Sequence, residues 1–383
     1  MRILIFLLLS FSFASQQVFV ACEGNFYQSN GSVWTISENN AYEYEGNPLG
    51  AVVQSLYVGE DKLYVVVNGS GNIQAFDIDD NGLTAAEYID TEFSGPREII
   101  VIDNYLYFTN WYTADLKKIN LETMEIEAEI EMPGLPEEII MHNGLLYISI
   151  TMDFDWTDGD KVVAVDPEED AIVNTYVVGE GPGDMVVHNN EIYIARTFYD
   201  NSWNAFYGTS KITESEEVII TNYGVGLACG GSVHSFQGSV YRVFDGGIAK
   251  LDENLQILTE TRIGSYNPLE IYSVEVINEH IYFGLSDFVF PDQVAVVNSS
   301  NEEVALYDVG VAPGDFAIWN SCEPTGDLNF DNILNVVDVV QIVSYILNNE
   351  GFDSNQLEIA DFNQDGNINV VDIVNLVTLI LSD

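Results

Sequence analysis

Two twelve-residue segments near the C-terminal end carry the clearest chemistry: "DLNFDNILNVVD", Asp327 to Asp338, and "DFNQDGNINVVD", Asp361 to Asp372. Positions 1, 3 and 5 are Asp, Asn and Asp in both (Asp327, Asn329, Asp331; Asp361, Asn363, Asp365). Position 9 is Asn (Asn335, Asn369) and position 12 is Asp (Asp338, Asp372). Alternate oxygen-bearing side chains on a tight loop converge on one centre, and a hard cation takes six or more oxygens at about 2.3–2.6 Å. Ile333 and Asn367, at position 7, would add backbone carbonyls. Gly366 holds position 6, where the turn needs a left-handed residue, and Asn332 is the next most tolerant choice in the first loop. The competing reading is a pair of acidic turns on a solvated face. Two copies that agree at five positions each favour the cation.

Each loop runs into a helix with an apolar stripe: Val336, Val337, Val340, Val343 and Leu347 in the first, Val370, Val371, Val374, Val377 and Leu381 in the second. This duplicated loop–helix unit resembles the type I dockerin, over the whole of 327–383 and with both loops intact. The resemblance implies a small all-α domain that folds on binding two calcium ions and plugs into a cohesin module. Such modules often join polysaccharide-degrading enzymes to a scaffold. The implied partner is a cohesin-like protein or cell-surface scaffold. The partner-reading positions 10 and 11 fall on Val336, Val337, Val370 and Val371, more apolar than in many cellulosomal dockerins, which leaves the partner's identity open.

The rest of the chain is a repeat. A Gly/Pro turn followed by an apolar strand recurs as "GNPLGAVV", "SGPREIIV", "PGLPEEIIM", "GEGPGDMVV", "YNPLEIYSV" and "GVAPGDFAI", with "CGGSVHSF" filling the place between Pro182 and Pro268. A Tyr-rich second strand follows ("NYLYFTN", "NGLLYISI", "NNEIYIAR", "EHIYFGL"), then a third and a fourth. Four short strands per unit of about 40–45 residues is the signature of propeller blades. The units resemble the YVTN/YncE-like and quinoprotein-like β-propellers across 22–322. Gly24 to Tyr44 reads as strands two to four of a blade, and Pro313 to Asn320 as a first strand without successors. Joined, they complete a seventh blade and remove the free sheet edges. The expected fold is an all-β seven-bladed β-propeller followed by a small all-α calcium-binding domain. The expected boundaries are a signal peptide 1–21, propeller 22–322, linker 323–326 and calcium domain 327–383.

"MRILIFLLLSFSFASQQ" at the start has one Arg and an apolar run from Ile3 to Ala14, too short for a membrane span of about 20 residues. It matches a secretory signal peptide cut after Ala14 or Ala21, so the mature protein is expected to be exported or at the cell surface. No other stretch is apolar enough to span a membrane. Export permits a disulfide, and Cys22 and Cys322 flank a hairpin of the composite blade, where a bridge would staple the ring. The alternative is that "FVAC" is a lipobox and Cys22 carries lipid. Cys229 is then an unpaired core residue.

Charge narrows the partners. There are 61 Asp and Glu against 11 Lys and Arg, a net charge of -50. Nucleic acid is excluded, because phosphate binding needs clustered Lys and Arg. Cations, neutral glycans and proteins remain, and the closed propeller is expected to be monomeric. No hydrolase, zinc-protease or phosphate-loop motif occurs. His142, His188, His234 and His280 fall at the turn between first and second strands, away from the face where propellers work. No catalytic residue is assigned. On the working face the loops between second and third strands are long and aromatic: Trp111 and Tyr112; Phe154 and Trp156; Tyr199, Trp203 and Tyr207; Phe288 and Phe290. With Arg196 beside them they form a candidate surface for a polysaccharide or a protein. Asp153, Asp155, Asp158 and Asp160 share one loop and could hold a further cation or act as acid and base; Arg97 and Arg196 could pair a ligand carboxylate. The expected function is ligand recognition by a propeller tethered through the calcium module. The alternatives are a polysaccharide lyase or hydrolase on the propeller, and a structural assembly protein.

Overall fold

The computed structural model describes residues 16–383 apart from 38, 60, 227–230, 321–325, 327, 329–333, 349–350, 353, 363–365 and 381–383. It divides into two compact units, 17–319 and a second one that includes 320–383. The first is built from seven antiparallel sheets. Six come from consecutive chain: 53–90, 96–131, 135–177, 182–225, 233–250 and 271–308. The sheet at 233–250 has three strands, and a single bridge between Ile248 and Ile263 stands at its outer edge.

The seventh sheet closes the ring, in the order Pro313–Asn320, Gln16–Cys22, Ser32–Ser37, Asn40–Glu43. The composite blade was expected, but its second strand was not. Gly24 to Tyr44 supplies only the third and fourth strands, and the second is the segment assigned to the end of a signal peptide. Its alternating faces pack into two inter-blade cores: Phe19 and Ala21 with Leu63, Phe76 and Trp319, and Val18, Val20 and Cys22 with Val296 and Phe316. The propeller therefore begins at Gln16 and not at residue 22. Cleavage after Ala21 would remove this strand; cleavage after Ala14 leaves it whole.

The same strand carries Cys22. The residue is buried and unpaired, deep in the sheet, where a lipid chain has no place. It lies beside the start of Pro313–Asn320, since the Glu23 N–H donates to the Ala312 carbonyl at 2.9 Å. Gln16, at the other end of the strand, donates to Asn320. At about 3.3 Å per residue those ends are about 20 Å apart. Cys322, the expected partner of Cys22, lies outside the described residues. Cys229 is also outside them.

Neighbouring blades are latched through their inner strands. Ser55 donates to the Arg97 carbonyl at 2.7 Å, Thr109 to that of Glu137 at 2.8 Å, and Ser273 to that of Pro313 at 2.6 Å. Asp315 accepts the Leu56 N–H at 2.6 Å and Asp184 the Val233 N–H at 2.8 Å.

The C-terminal unit holds three helices, α1 (Val336–Asn348), α2 (Ser354–Ala360) and α3 (Val370–Ile380). Leu328, Ile342, Ala360 and Leu376 form its buried centre. Of the chain's helices among the described residues, none is long and apolar enough to cross a membrane.

Candidate functional site

The two loop–helix units are built alike. Asn335 accepts the Val337 N–H at 2.8 Å while Asp338 accepts the Asn335 N–H at 2.9 Å, a reciprocal cap on the first turn of α1. Asn369 accepts the Val371 N–H at 2.9 Å and Asp372 the Asn369 N–H at 2.8 Å at the head of α3. Position 9 thus orients the helix and position 12 points back into the loop. Asp361 turns inward as well, accepting the Gly366 N–H at 2.7 Å, where Gly366 has φ +78°. Asp338 and Asp372 are fully buried, and residues 325–383 contain no Lys, Arg or His. Backbone N–H groups of Leu328 and Asn335 hold the two oxygens of Asp338, and an all-oxygen donor set in a segment without basic side chains fits calcium. Of the expected ligands, Asn335, Asp338, Asp361, Asn367, Asn369 and Asp372 are described; Asp327, Asn329, Asp331, Ile333, Asn363 and Asp365 lie outside the described residues, as does the expected linker apart from Gly326.

The apolar stripes face outward. Val336, Val337, Val340 and Leu347 of α1 and Val370, Val371 and Val374 of α3 are exposed, Val336 and Val370 by 67% and 65%. The core is made by the opposite side, Val339 and Ile342 on α1 and Ile373 and Leu376 on α3. Both helices are therefore apolar on two sides, and the valine pairs at positions 10 and 11 stand at equivalent places on solvent-facing surfaces.

On the propeller, the expected aromatics come to one rim. Tyr112, Phe154, Trp156 and Trp203 are 69%, 65%, 55% and 79% exposed. Trp111 is half-buried under the Arg97 guanidinium, 4.2 Å from its ring centre, and meets Trp156 edge-on. Tyr199 sits beside Trp203, while Tyr207 is half-buried against Tyr223. Trp156 and Trp203 cap matching turns: the Trp156 N–H donates to the Asp153 carbonyl and that of Trp203 to the Asp200 carbonyl, both at 2.9 Å. Each holds a left-handed backbone, φ +66° and +62°, as does Phe288 at +63°. The four aspartates do not converge. Asp155 accepts from Thr157 and Asp158 from the Tyr199 N–H, while Asp153 and Asp160 share Lys161, at 3.9 and 2.9 Å. Among the described residues no cluster of His, Cys, Asp and Glu is arranged to hold a metal. Neither arginine waits free on the rim: Arg97 grips Glu137 through Nε and Nη2 and Gln54 through Nη1, and Arg196 is 1% exposed.

The family model for the Dockerin type I domain matches residues 325–381. This segment is a type I dockerin domain. The remainder is similar in fold to solved structures: a protein of unknown function from Desulfotomaculum acetoxidans (12% identity, 79% of this chain and 98% of that one, TM-score 0.58), a Lactobacillus plantarum protein (11%, 80% and 99%, 0.58) and Kuenenia stuttgartiensis hydrazine synthase (10%, 73% and 99%, 0.55). Identities this low show the propeller and nothing of its activity. No curated relative matches the chain. Dockerin domains bind calcium and imply a cohesin partner, and such modules occur in extracellular, cell-surface assemblies.

Within the propeller unit, a central channel of about 880 Å³ adds a feature the repeat pattern does not announce. Glu98, Glu138, Asp184, Glu275 and Asp315 line it from five blades. In the blades at 96, 135 and 182 the pairing slips just after the anchoring proline, and a bulge of this kind turns adjacent side chains inward. Burial, with repulsion from the other acids, raises Glu98 and Glu138 well above the ordinary range and pushes Asp184 and Glu275 to about 7 and 8, while burial alone pushes Asp315 to about 6. The signal was present in the anchors themselves: "PRE", "PEE", "PGD" and "PGD" put an acid two places after the proline. His234 also lines the channel, unlike the placement expected for it. It meets Ser232 at 2.7 Å, and burial lowers it to about 4, so it is neutral. His142, His188 and His280 lie at the first-to-second-strand turns, as expected.

Proposed function

We propose that this is an exported assembly component whose dockerin, loaded with two calcium ions, plugs into a cohesin through Val336, Val337, Val370 and Val371, while the aromatic rim of its propeller recognises a glycan or protein. One observation carries the recognition half. Trp156, Trp203 and Phe288 are exposed and also held at positive φ, a conformation that costs a bulky residue about 1–2 kcal/mol. Positive φ recurs at 21 non-glycine positions among the described residues, many of them Asn or Asp, so what sets these turns apart is a large exposed ring where a small polar residue would serve the turn. The lyase or hydrolase reading draws less support from the 153–160 loop, where Asp153 and Asp160 share Lys161 and Asp155 and Asp158 are held by Thr157 and the Tyr199 N–H. The test is a glycan array and a pull-down with the purified chain and a Trp156→Ala, Trp203→Ala double variant. A captured glycan or protein that the variant loses supports the reading. Capture unchanged by the variant refutes it, and cleavage of a bound polysaccharide would move the protein to the enzymes.

A further inference from the structure

The blades at 182–225 and 233–250 meet around two guanidinium groups. Arg196 and Arg242 are each 1% exposed. Arg97 and Arg262 pair with carboxylates, but among the described residues neither buried arginine does. The adjoining stretch outside the description, 227–230, reads Leu-Ala-Cys-Gly and contains no acid. Arg196 donates to the carbonyls of Glu180 and Thr221 and to Asn222 Oδ1. Arg242 donates to the Gly208 carbonyl and to Thr209 Oγ1, and more weakly to the Arg196 carbonyl. The Nε of each is buried without an acceptor. Tyr207 and Tyr223 cover Arg242, 5.1 and 5.5 Å from their ring centres. Gly208 leaves the room, since a Cβ there would strike Arg196 Nη2. Asp184 acts on Arg242 only through space, its own carboxylate being engaged by the Val233 N–H. Desolvation lowers both arginines to about 10, so both stay charged at neutral pH.

A buried guanidinium with no carboxylate is costly, and in a chain with 61 acids and 11 bases its isolation is conspicuous. Arg242 also lines a pocket of about 540 Å³ with Tyr207, Phe244, Asn267, Pro268 and Leu269. That size suits one ring-sized ligand. Asp245 lines it too, but Arg262 pairs with it. The pocket is made by the turn at 245–246 and the loop before the strand Ile271–Ile277, on the same side as the aromatic rim.

We propose that this pocket binds a small ligand bearing a carboxylate, whose acid group pairs with Arg242 and whose ring lies against Tyr207 and Phe244. The proposal rests on the reading of this side as a recognition surface, and names the chemical class of one ligand for it. A guanidinium fork matches a carboxylate. One charge balances one guanidinium, whereas a phosphate dianion would bring an unmatched second charge into a largely apolar site. A uronic-acid sugar and an aromatic acid share this chemistry.

The test is calorimetric titration of the full, calcium-loaded chain with D-glucuronate and with benzoate. Methyl glucoside and benzamide serve as neutral counterparts, with inorganic phosphate as a third arm. Saturable binding of either acid, at least tenfold tighter than its neutral counterpart, is expected, and which acid binds identifies the source. Arg242→Lys should weaken that binding tenfold or more. Leu269→Glu, at the exposed mouth, should weaken it severalfold with an unchanged melting temperature, which guards against a variant that merely misfolds. No binding of either acid, equal binding of the neutral counterparts, preference for phosphate, or wild-type affinity in both variants overturns the proposal. Trp156→Ala with Trp203→Ala should leave acid binding intact. Loss of a rim partner in that variant, alongside a pocket that takes no acid, would sink this inference and leave the broader reading standing.

Discussion

The dockerin helices and the propeller rim both turn large apolar side chains to solvent, but they hold them by different means. On the dockerin, Val336 and Val370, and Val337 and Val371, occupy equivalent places on two similar loop–helix units, each headed by an acidic loop that needs a cation. On the rim, Tyr112, Phe154, Trp156 and Trp203 come from loops of different length and sequence, carried on a ring closed by its own two ends. Duplication and a calcium requirement suit a standardised plug. Irregular aromatics on a rigid frame suit recognition of something particular to this protein. The two surfaces should therefore respond to different perturbations.

The largest effect is expected at the loops. Asp331→Ala with Asp365→Ala, or a chelator, should weaken cohesin capture by about 100-fold or more, because metal binding and folding of such loops are coupled. Circular dichroism should show helix lost while the propeller's thermal transition stays in place. On the helix faces, Val336→Lys with Val370→Lys should cost about 2–4 kcal/mol of docking in a binding titration, with helix content retained. On the rim, Trp156→Gly with Trp203→Gly should abolish ligand capture yet raise propeller stability by about 1–2 kcal/mol in denaturant unfolding, since glycine relieves the positive φ at both turns. A loss of stability there would mean that the rings serve packing.

The smallest effect concerns the channel. Among the described residues Glu98 and Glu138 make no side-chain hydrogen bond that offsets their burial, whereas Asp184 and Asp315, one methylene shorter, reach a backbone N–H of the next blade. Acids raised in the folded state keep protons that the unfolded chain has shed. Their stabilising contribution is present below about pH 4 and is lost as pH rises through the folded values of about 6 to 8. The propeller should melt lower at pH 8 than at pH 5. Glu98→Gln with Glu138→Gln should recover about 1–2 kcal/mol at pH 8 and little at pH 5, measured by calorimetry.

Much of this was legible from the residues because it repeats. Proline anchors and Tyr-rich second strands marked the blades, and two matching loops marked the dockerin. Features outside the repeat were harder to see. Gln16–Cys22 is apolar because it is a core strand, and an apolar run close to the start of a chain has the same appearance in a leader. Cys22 belongs to that strand and is buried between two blades. The valine stripes were recognisable as apolar, but periodicity cannot say which of two apolar sides faces the core; Ile342 and Leu376 took it. Arg196 was read as a rim cation, and burial shows instead that it belongs with Arg242, a pairing across blades that no local spacing announces.

The independence of the two surfaces is the central claim, and one paired capture tests it. The full chain, the Asp331→Ala, Asp365→Ala variant and the Trp156→Ala, Trp203→Ala variant would each be immobilised, with calcium and with chelator, and exposed to the source's envelope and secreted fractions. The account predicts a cohesin-bearing protein captured only with calcium and lost only in the aspartate variant, and a second ligand captured in either condition and lost only in the tryptophan variant. A cohesin that disappears with the tryptophans, or a rim ligand that disappears with calcium, would contradict it.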